Sequence, residues 1–214
     1  MEVRIDTTLT KTNSHLASKA GPAGKPKLRG IHHLALVTDD MQRTIDFYVR
    51  VLGMPLVHGL TTAPGTGGHG RGVPPFSEIP HFFLDMGGDS LLAFFEYPKG
   101  KVAKTDRDTL GAMQHVSFVC GPARYREMLA RLKEEGVEIT GGPLLTIPPA
   151  IHSLYFLDPN GIRLELVSDL DGDEEDLQVI RTCAMDDDTM RQELARISTD
   201  KVWIEEMITS MPRR

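Results

Sequence analysis

Residues 31–54 read IHHLALVTDDMQRTIDFYVRVLGM and residues 113–136 read MQHVSFVCGPARYREMLARLKEEG, and the fold emerges from setting one beneath the other. Each opens with a short strand-like apolar run, Ile31–Val37 in the first and Met113–Val119 in the second. Each then changes to helical spacing, through Ile45, Tyr48, Val49 and Leu52 or through Tyr125, Met128, Leu129 and Leu132, and each ends at a glycine, Gly53 or Gly136. His33 to Gly53 spans 20 positions, His115 to Gly136 spans 21, and the two histidines stand 82 residues apart. A strand-then-helix unit used twice at a fixed offset is an internal repeat.

Three further strands complete each copy as a module. After Gly53, strands are predicted at Met54–His58, His81–Met86 and Leu91–Tyr97, the last two joined by the turn Gly87-Gly88-Asp89-Ser90. After Gly136, strands are predicted at Val137–Thr140, Ser153–Leu157 and Ile162–Val167, with Asp158-Pro159-Asn160-Gly161 as the turn. The expected fold is therefore α+β: two βαβββ modules, over residues 30–110 and 111–168. Residues 1–29, with six basic residues against two acids and no apolar period, are expected to be a flexible arm. Gly59–Pro80, with six glycines and four prolines, reads as a long loop, either a lid or disordered. Residues 169–214 read as an acidic linker and a C-terminal helical extension, with Thr189 and Gln192 as a candidate capping box and a break at Ser198-Thr199-Asp200.

Composition narrows the function classes. The chain has 214 residues, 40% hydrophobic and 25% charged, which suits a folded chain with a real core. Its net charge of −6 is concentrated, because Asp169–Asp188 holds nine acids against Arg181 alone. No basic stripe with interleaved aromatics appears, so nucleic-acid binding has no electrostatic support. No apolar run reaches the length of a membrane span or resembles a secretory signal, and Cys120 and Cys183 are too few for a disulfide framework; a cytoplasmic protein with a small-molecule ligand is expected.

Strand parity locates candidate chemistry, since alternate side chains face opposite sides of a sheet. His33 shares a face with Ala35 and Val37, His115 with Ser117 and Val119, and Glu165 with Arg163 and Val167, while the opposite faces carry the large aliphatic residues. Singly, a strand histidine is more often a hydrogen-bonded structural group and a strand glutamate usually meets water. Two imidazoles at equivalent repeat positions, joined by one carboxylate, instead suit a divalent ion with coordination positions left open.

These segments, together with SLYFLDPNGIRLELVSDL at 153–170, resemble the vicinal oxygen chelate superfamily, which includes glyoxalases, methylmalonyl-CoA epimerases, fosfomycin-resistance thiol transferases and extradiol ring-cleaving dioxygenases. The resemblance covers about residues 30–168. It implies that the two modules form a curved mixed sheet with a metal held by His33, His115 and Glu165 on its concave side, and a homodimer. Aligning the two turns puts Phe94 at the place of a fourth ligand, leaving a three-ligand site; Glu96, of the same parity, is the alternative as ligand or base. Tyr155 and Ser153 share the inward face, and Tyr155 stands where ring-cleaving and fosfomycin-resistance enzymes resemble one another in carrying a substrate-contacting tyrosine. His152 is the nearest substitute for the acid–base histidine of the dioxygenases, although its parity points the other way. Ser117 and Ser153 complete the expected pocket, with Phe94, Phe82 and Phe118 available as its walls or, for Phe82 and Phe118, packing under the helices as the alternative, while His58, His69 and His81 read as surface or loop residues. The first expectation is an iron(II) dioxygenase acting on a catechol-like substrate. The alternatives are a glyoxalase, epimerase or thiol-transfer enzyme using Mn2+, Zn2+, Ni2+ or Mg2+, or a binding protein without turnover.

Overall fold

A computed structural model describes residues 30–62, 78–148, 150–172 and 183–211. The predicted arm at 1–29, most of the predicted loop (63–77, with His69) and much of the acidic linker (173–182) lie outside the described residues. Residues 30–184 form one unit. Within it β1 (His33–Thr38), α1 (Met41–Asp46, continued by a π-helical turn Phe47–Val51), β2 (Leu56–Thr62), β3 (Ile79–Gly87) and β4 (Ser90–Glu96) make the first module. The second is β5 (Val116–Val119), α2 (Pro122–Glu134), β6 (Ile139–Ile147), β7 (Ile151–Leu157) and β8 (Arg163–Asp169). The α+β fold of two βαβββ modules is as expected. Each module is a four-stranded mixed sheet of its own, ordered β1-β4-β3-β2 and β5-β8-β7-β6, with the first and last strands of each module parallel and side by side. β2 and β6 run further than their sequences suggest, to Thr62 and Ile147. Glycines and prolines in these stretches lower strand propensity, and cross-strand pairing overrides it.

The helices form where sequence and caps agree. The Asp40 carboxylate accepts from the Arg43 amide at the start of α1, and α2 opens on Pro122, whose missing amide costs nothing at a first turn. Both helical stretches stop at glycines with positive φ, +73° at Gly53 and +66° at Gly136. Their apolar sides enter one core that also takes Leu84, Leu92 and Phe94 from the first sheet and Leu154, Phe156 and Leu164 from the second. One face of each sheet is thus buried against helices, and the chemistry must lie on the other.

Polar contacts knit the modules as well. The Tyr48 hydroxyl donates to Asp158 Oδ2 at 3.1 Å, Thr38 Oγ1 donates to Asn160 Oδ1 at 2.8 Å, and an Arg124 guanidinium nitrogen donates to the Leu52 carbonyl at 3.1 Å. Burial pushes the Asp158 carboxyl up, only partly offset by bonds from Asn160, the Ile162 amide and Tyr48.

Residues 185–211 belong to a second unit. Helices Asp187–Ala195 and Lys201–Ser210 are separated where Ser198-Thr199-Asp200 predicts a break. The N-cap of the first is Asp186, which accepts from the Thr189 amide at 2.8 Å; the expected Thr189–Gln192 box gives way because a carboxylate one turn earlier is the stronger acceptor. Arg191 reaches Glu205 of the second helix at 2.7 Å. Among the described residues no helix is long and apolar enough to cross a membrane.

Candidate metal centre

Glu165 lies in the middle of the second sheet's open face, directly across from Ser117 of β5 and Tyr155 of β7. Its side chain is 8% exposed, and His115 Nε2 stands 3.0 Å from its Oε2. Burial alone would push the carboxyl up, but hydrogen bonds from Ser153, Tyr155 and Ser117 and the field of His115 outweigh it and hold the group below its usual range. Glu165 is therefore an anion at neutral pH. The Ser153 hydroxyl is held in turn by Thr146 Oγ1, and the Tyr155 ring meets His115 edge-on at 5.9 Å between centroids.

Gln114 Oε1 lies against His115 Nδ1. An amide oxygen there accepts the Nδ1 proton, so in the neutral ring the Nε2 lone pair faces a carboxylate. Two electron-rich atoms in contact need a cation between them, a proton or a metal ion. Their 3.0 Å separation matches that of two donors placed about 2.1 Å from one ion at a right angle. The donor types suit borderline divalent ions. Both residues fit such a group.

His33 is not brought to them. It lies on the open face of the first sheet, where its Nδ1 is 2.9 Å from His32 Nδ1 and its ring meets Phe83 at 5.7 Å. Among the described residues of one chain, no group of three His, Cys, Asp or Glu side chains could hold an ion.

Several other expectations are corrected. Phe94 is fully buried on the helix side, its ring 5.0 Å from Tyr48, so it lines no pocket; Phe82 and Phe118 also pack against that core. The residue equivalent to Glu165 is Ala93. Leu92 and Leu164 are the matching core residues, paired with Leu34 and Val116 of the first strands, so the hairpin turns differ by one residue from the alignment assumed. Glu96 is neither ligand nor base here, because it accepts from the Met41 amide at 2.9 Å and serves the start of α1. His152 faces away from Glu165, pairing across strands with Ser168, and its Nδ1 is 3.0 Å from the Ala150 carbonyl oxygen.

Sequence reasoning missed the first sheet's open face. There Phe83 is ringed by His33, by His58 at 5.6 Å and by His81 at 4.2 Å, and His81 stacks on Phe95 at 3.6 Å. His58 on β2 is exposed, as the surface reading expects, whereas His81 on β3 is buried and is neither a surface nor a loop residue. The usable signal was parity, since Phe83, Phe95, His81 and His33 all occupy odd positions across one register.

A family model described as the Glyoxalase/Bleomycin resistance protein/Dioxygenase superfamily matches residues 30–166. A curated relative, the uncharacterized protein YwkD of Bacillus subtilis strain 168, is 26% identical over 140 residues, covering 65% of this chain and 96% of that one. Among solved structures, a glyoxylase/bleomycin resistance protein/dioxygenase domain from Frankia sp. EAN1pec has a TM-score of 0.52 at 20% identity, covering 68% of this chain and 96% of its own. A glyoxalase/dioxygenase from Nostoc punctiforme has a TM-score of 0.51 at 24% identity, covering 71% and 99%. At these identities the solved structures establish likeness of fold.

Proposed function

The chain belongs to the Glyoxalase/Bleomycin resistance protein/Dioxygenase superfamily, and from that premise we propose that it is a homodimeric, metal-dependent enzyme whose site forms between two copies. His33 of one copy would join His115 and Glu165 of the other. The observation that carries this reading is the separation of the donors onto two sheet faces, each with an exposed valine on the donor's side: Val37 on the His33 face is 42% exposed and Val119 on the His115 face is 43% exposed. Exposed strand faces of this kind favour burial against another copy.

The ion proposed is Fe2+, which when bound would supply Lewis acidity and electrons for dioxygen. With Ala93 at the place equivalent to Glu165, the protein would supply three donors, His33, His115 and Glu165, and would leave the ion open to further ligands. That suits a chelating, catechol-like substrate plus dioxygen, the requirement of an extradiol-type ring cleavage. The chain's own residues have definite tasks. Gln114 orients His115; Ser117, Ser153 and Tyr155 hold the Glu165 carboxylate anionic and fixed; the Tyr155 phenol, its pKa raised by burial and by its bond to Glu165, keeps its proton and can donate to a substrate oxyanion. Phe83 and His58 would provide a wall of rings, with the exposed His58 imidazole available for proton transfer.

The test is complementation. His33→Ala and Glu165→Ala chains are each expected to be inactive and poor in metal. When the two are co-expressed, random pairing gives one intact site in each mixed dimer and about a quarter of wild-type activity. A mixture as inactive as its parents would overturn the shared site. Turnover with Zn2+ or Ni2+ and no oxygen uptake would replace ring cleavage with glyoxalase-, epimerase- or thiol-transfer-type chemistry, and absence of stoichiometric metal would leave a binding protein.

A further inference from the structure

Among the described residues, one cation beside the candidate centre has no counter-charge. Arg163 stands two residues before Glu165 on the same strand and therefore on the same open face, next to Tyr155. Its guanidinium carbon lies 4.3 Å from the centre of the Tyr155 ring. Its Nε is buried without a hydrogen-bond partner, and among the described residues Arg163 forms no ion pair. The nearest carboxylate on its strand, Glu165, is already committed to His115, Ser153, Tyr155 and Ser117. A guanidinium held over a ring keeps its position while the nitrogens that do not face the ring stay available for an anion.

We propose that Arg163 is the specificity-determining residue of this face and binds the carboxylate of an aromatic acid. This deepens the reading of the His115–Glu165 pair as a metal centre by naming the substrate class that centre would serve. The acid end would meet the guanidinium rim by a two-pronged contact. The ring end would find π surface in Tyr155 on the same face and, in the assembled site, in Phe83. Neutral analogues would lose the charged contact and leave the cation unpaired.

The experiment uses the full chain freed of metal, titrated with benzoate and with its neutral isostere benzamide by saturation-transfer NMR. Benzoate is expected to bind about tenfold more tightly, as a hydrogen-bonded charged contact commonly gives. In Arg163→Gln that preference should fall to about one, with benzamide binding unchanged, and Arg163→Lys should recover only part of it, because the ammonium lacks the planar rim. Equal binding of the two ligands by wild type, or a preference that survives Arg163→Gln, would overturn the proposal. His115→Ala, run alongside, separates the two readings: it should abolish Fe2+ uptake while keeping the benzoate preference. Fe2+ uptake that survives this change defeats the metal centre and leaves Arg163 standing, whereas loss of the preference in His115→Ala defeats the assignment to Arg163.

Discussion

The two open faces are built on the same backbone and carry opposite chemistry. Both modules have the same strand order and the same parallel pairing of first and last strands. On the second sheet, side chains converge by hydrogen bonding on one buried carboxylate; on the first, the equivalent position is Ala93 and the face is filled by rings around Phe83. A duplicated scaffold gives two platforms, and what each does depends on a few odd-numbered positions. The split leaves His33 on one face and the His115–Glu165 pair on the other.

The largest effects should come from breaking the polar face. Glu165→Ala removes the anion that Ser117, Ser153, Tyr155 and His115 surround, and bound metal measured by emission spectrometry should fall by more than about 100-fold in affinity, since even outer partners of metal ligands commonly account for 10- to 100-fold. Making the faces alike is the complementary test: Ala93→Glu would add a fourth donor, retaining metal while reducing oxygen uptake by occupying a position meant for ligands. If Ala93→Glu loses metal as completely as Glu165→Ala does, the equivalence of the two positions is wrong.

Breaking the aromatic face should do less and do it differently. Phe83→Ala removes the ring that His33, His58 and His81 touch. Metal content should be unchanged, and KM for an aromatic substrate should rise about three- to tenfold, the worth of one favourable ring contact. An unchanged KM would show that this face is not a substrate wall.

How much of this was legible in the sequence depends on the distance over which the information acts. The repeat, the helix stops at Gly53 and Gly136, and the parity of His33, His115 and Glu165 are local, and a period of two or 3.6 reports them directly. The equivalence of Ala93 and Glu165 was not legible, because a one-residue difference between hairpin turns is invisible until strands are paired, and a one-residue slip turns a side chain to the other face. Phe94 and Glu96 were misread for that reason. Whether His33 meets His115 depends on how two sheets and two copies assemble, which no spacing encodes.

The hairpin turns themselves offer a subtler contrast. Asp158 accepts from the Asn160 and Ile162 amides and from the Tyr48 hydroxyl, tying the second module's turn to the first module's helix, whereas Asp89 in the corresponding turn is exposed, with φ at +60°. Asp158→Ala should lower stability by about 2–3 kcal/mol in thermal or urea unfolding, as loss of charged hydrogen bonds does, and Asp89→Asn by less than about 0.5 kcal/mol. The sign of the pH dependence is set by burial. With its folded pKa raised, the extra stability that protonated Asp158 brings is fully present below the ordinary carboxylate range and is lost as pH rises through the raised value. Wild type should therefore gain on Asp158→Asn as the medium is acidified, and a gap that narrows on acidification would contradict the assignment.

The smallest difference between the modules is the one between their two helix stops. Both glycines have positive φ, so alanine at either should cost about 1 kcal/mol through backbone strain. A Cβ on Gly136 would meet nothing within 4 Å, while one on Gly53 would come within 2.8 Å of the Arg124 guanidinium. That guanidinium is the flexible end of a side chain and can move aside, but doing so gives up its bond to the Leu52 carbonyl. Gly53→Ala should therefore cost more than Gly136→Ala by about one hydrogen bond, roughly 0.5–1.5 kcal/mol. The excess should vanish in an Arg124→Ala background, where nothing remains to be displaced; an excess that persists there would mean that the first module is strained at its helix stop for a reason unconnected with the junction between modules.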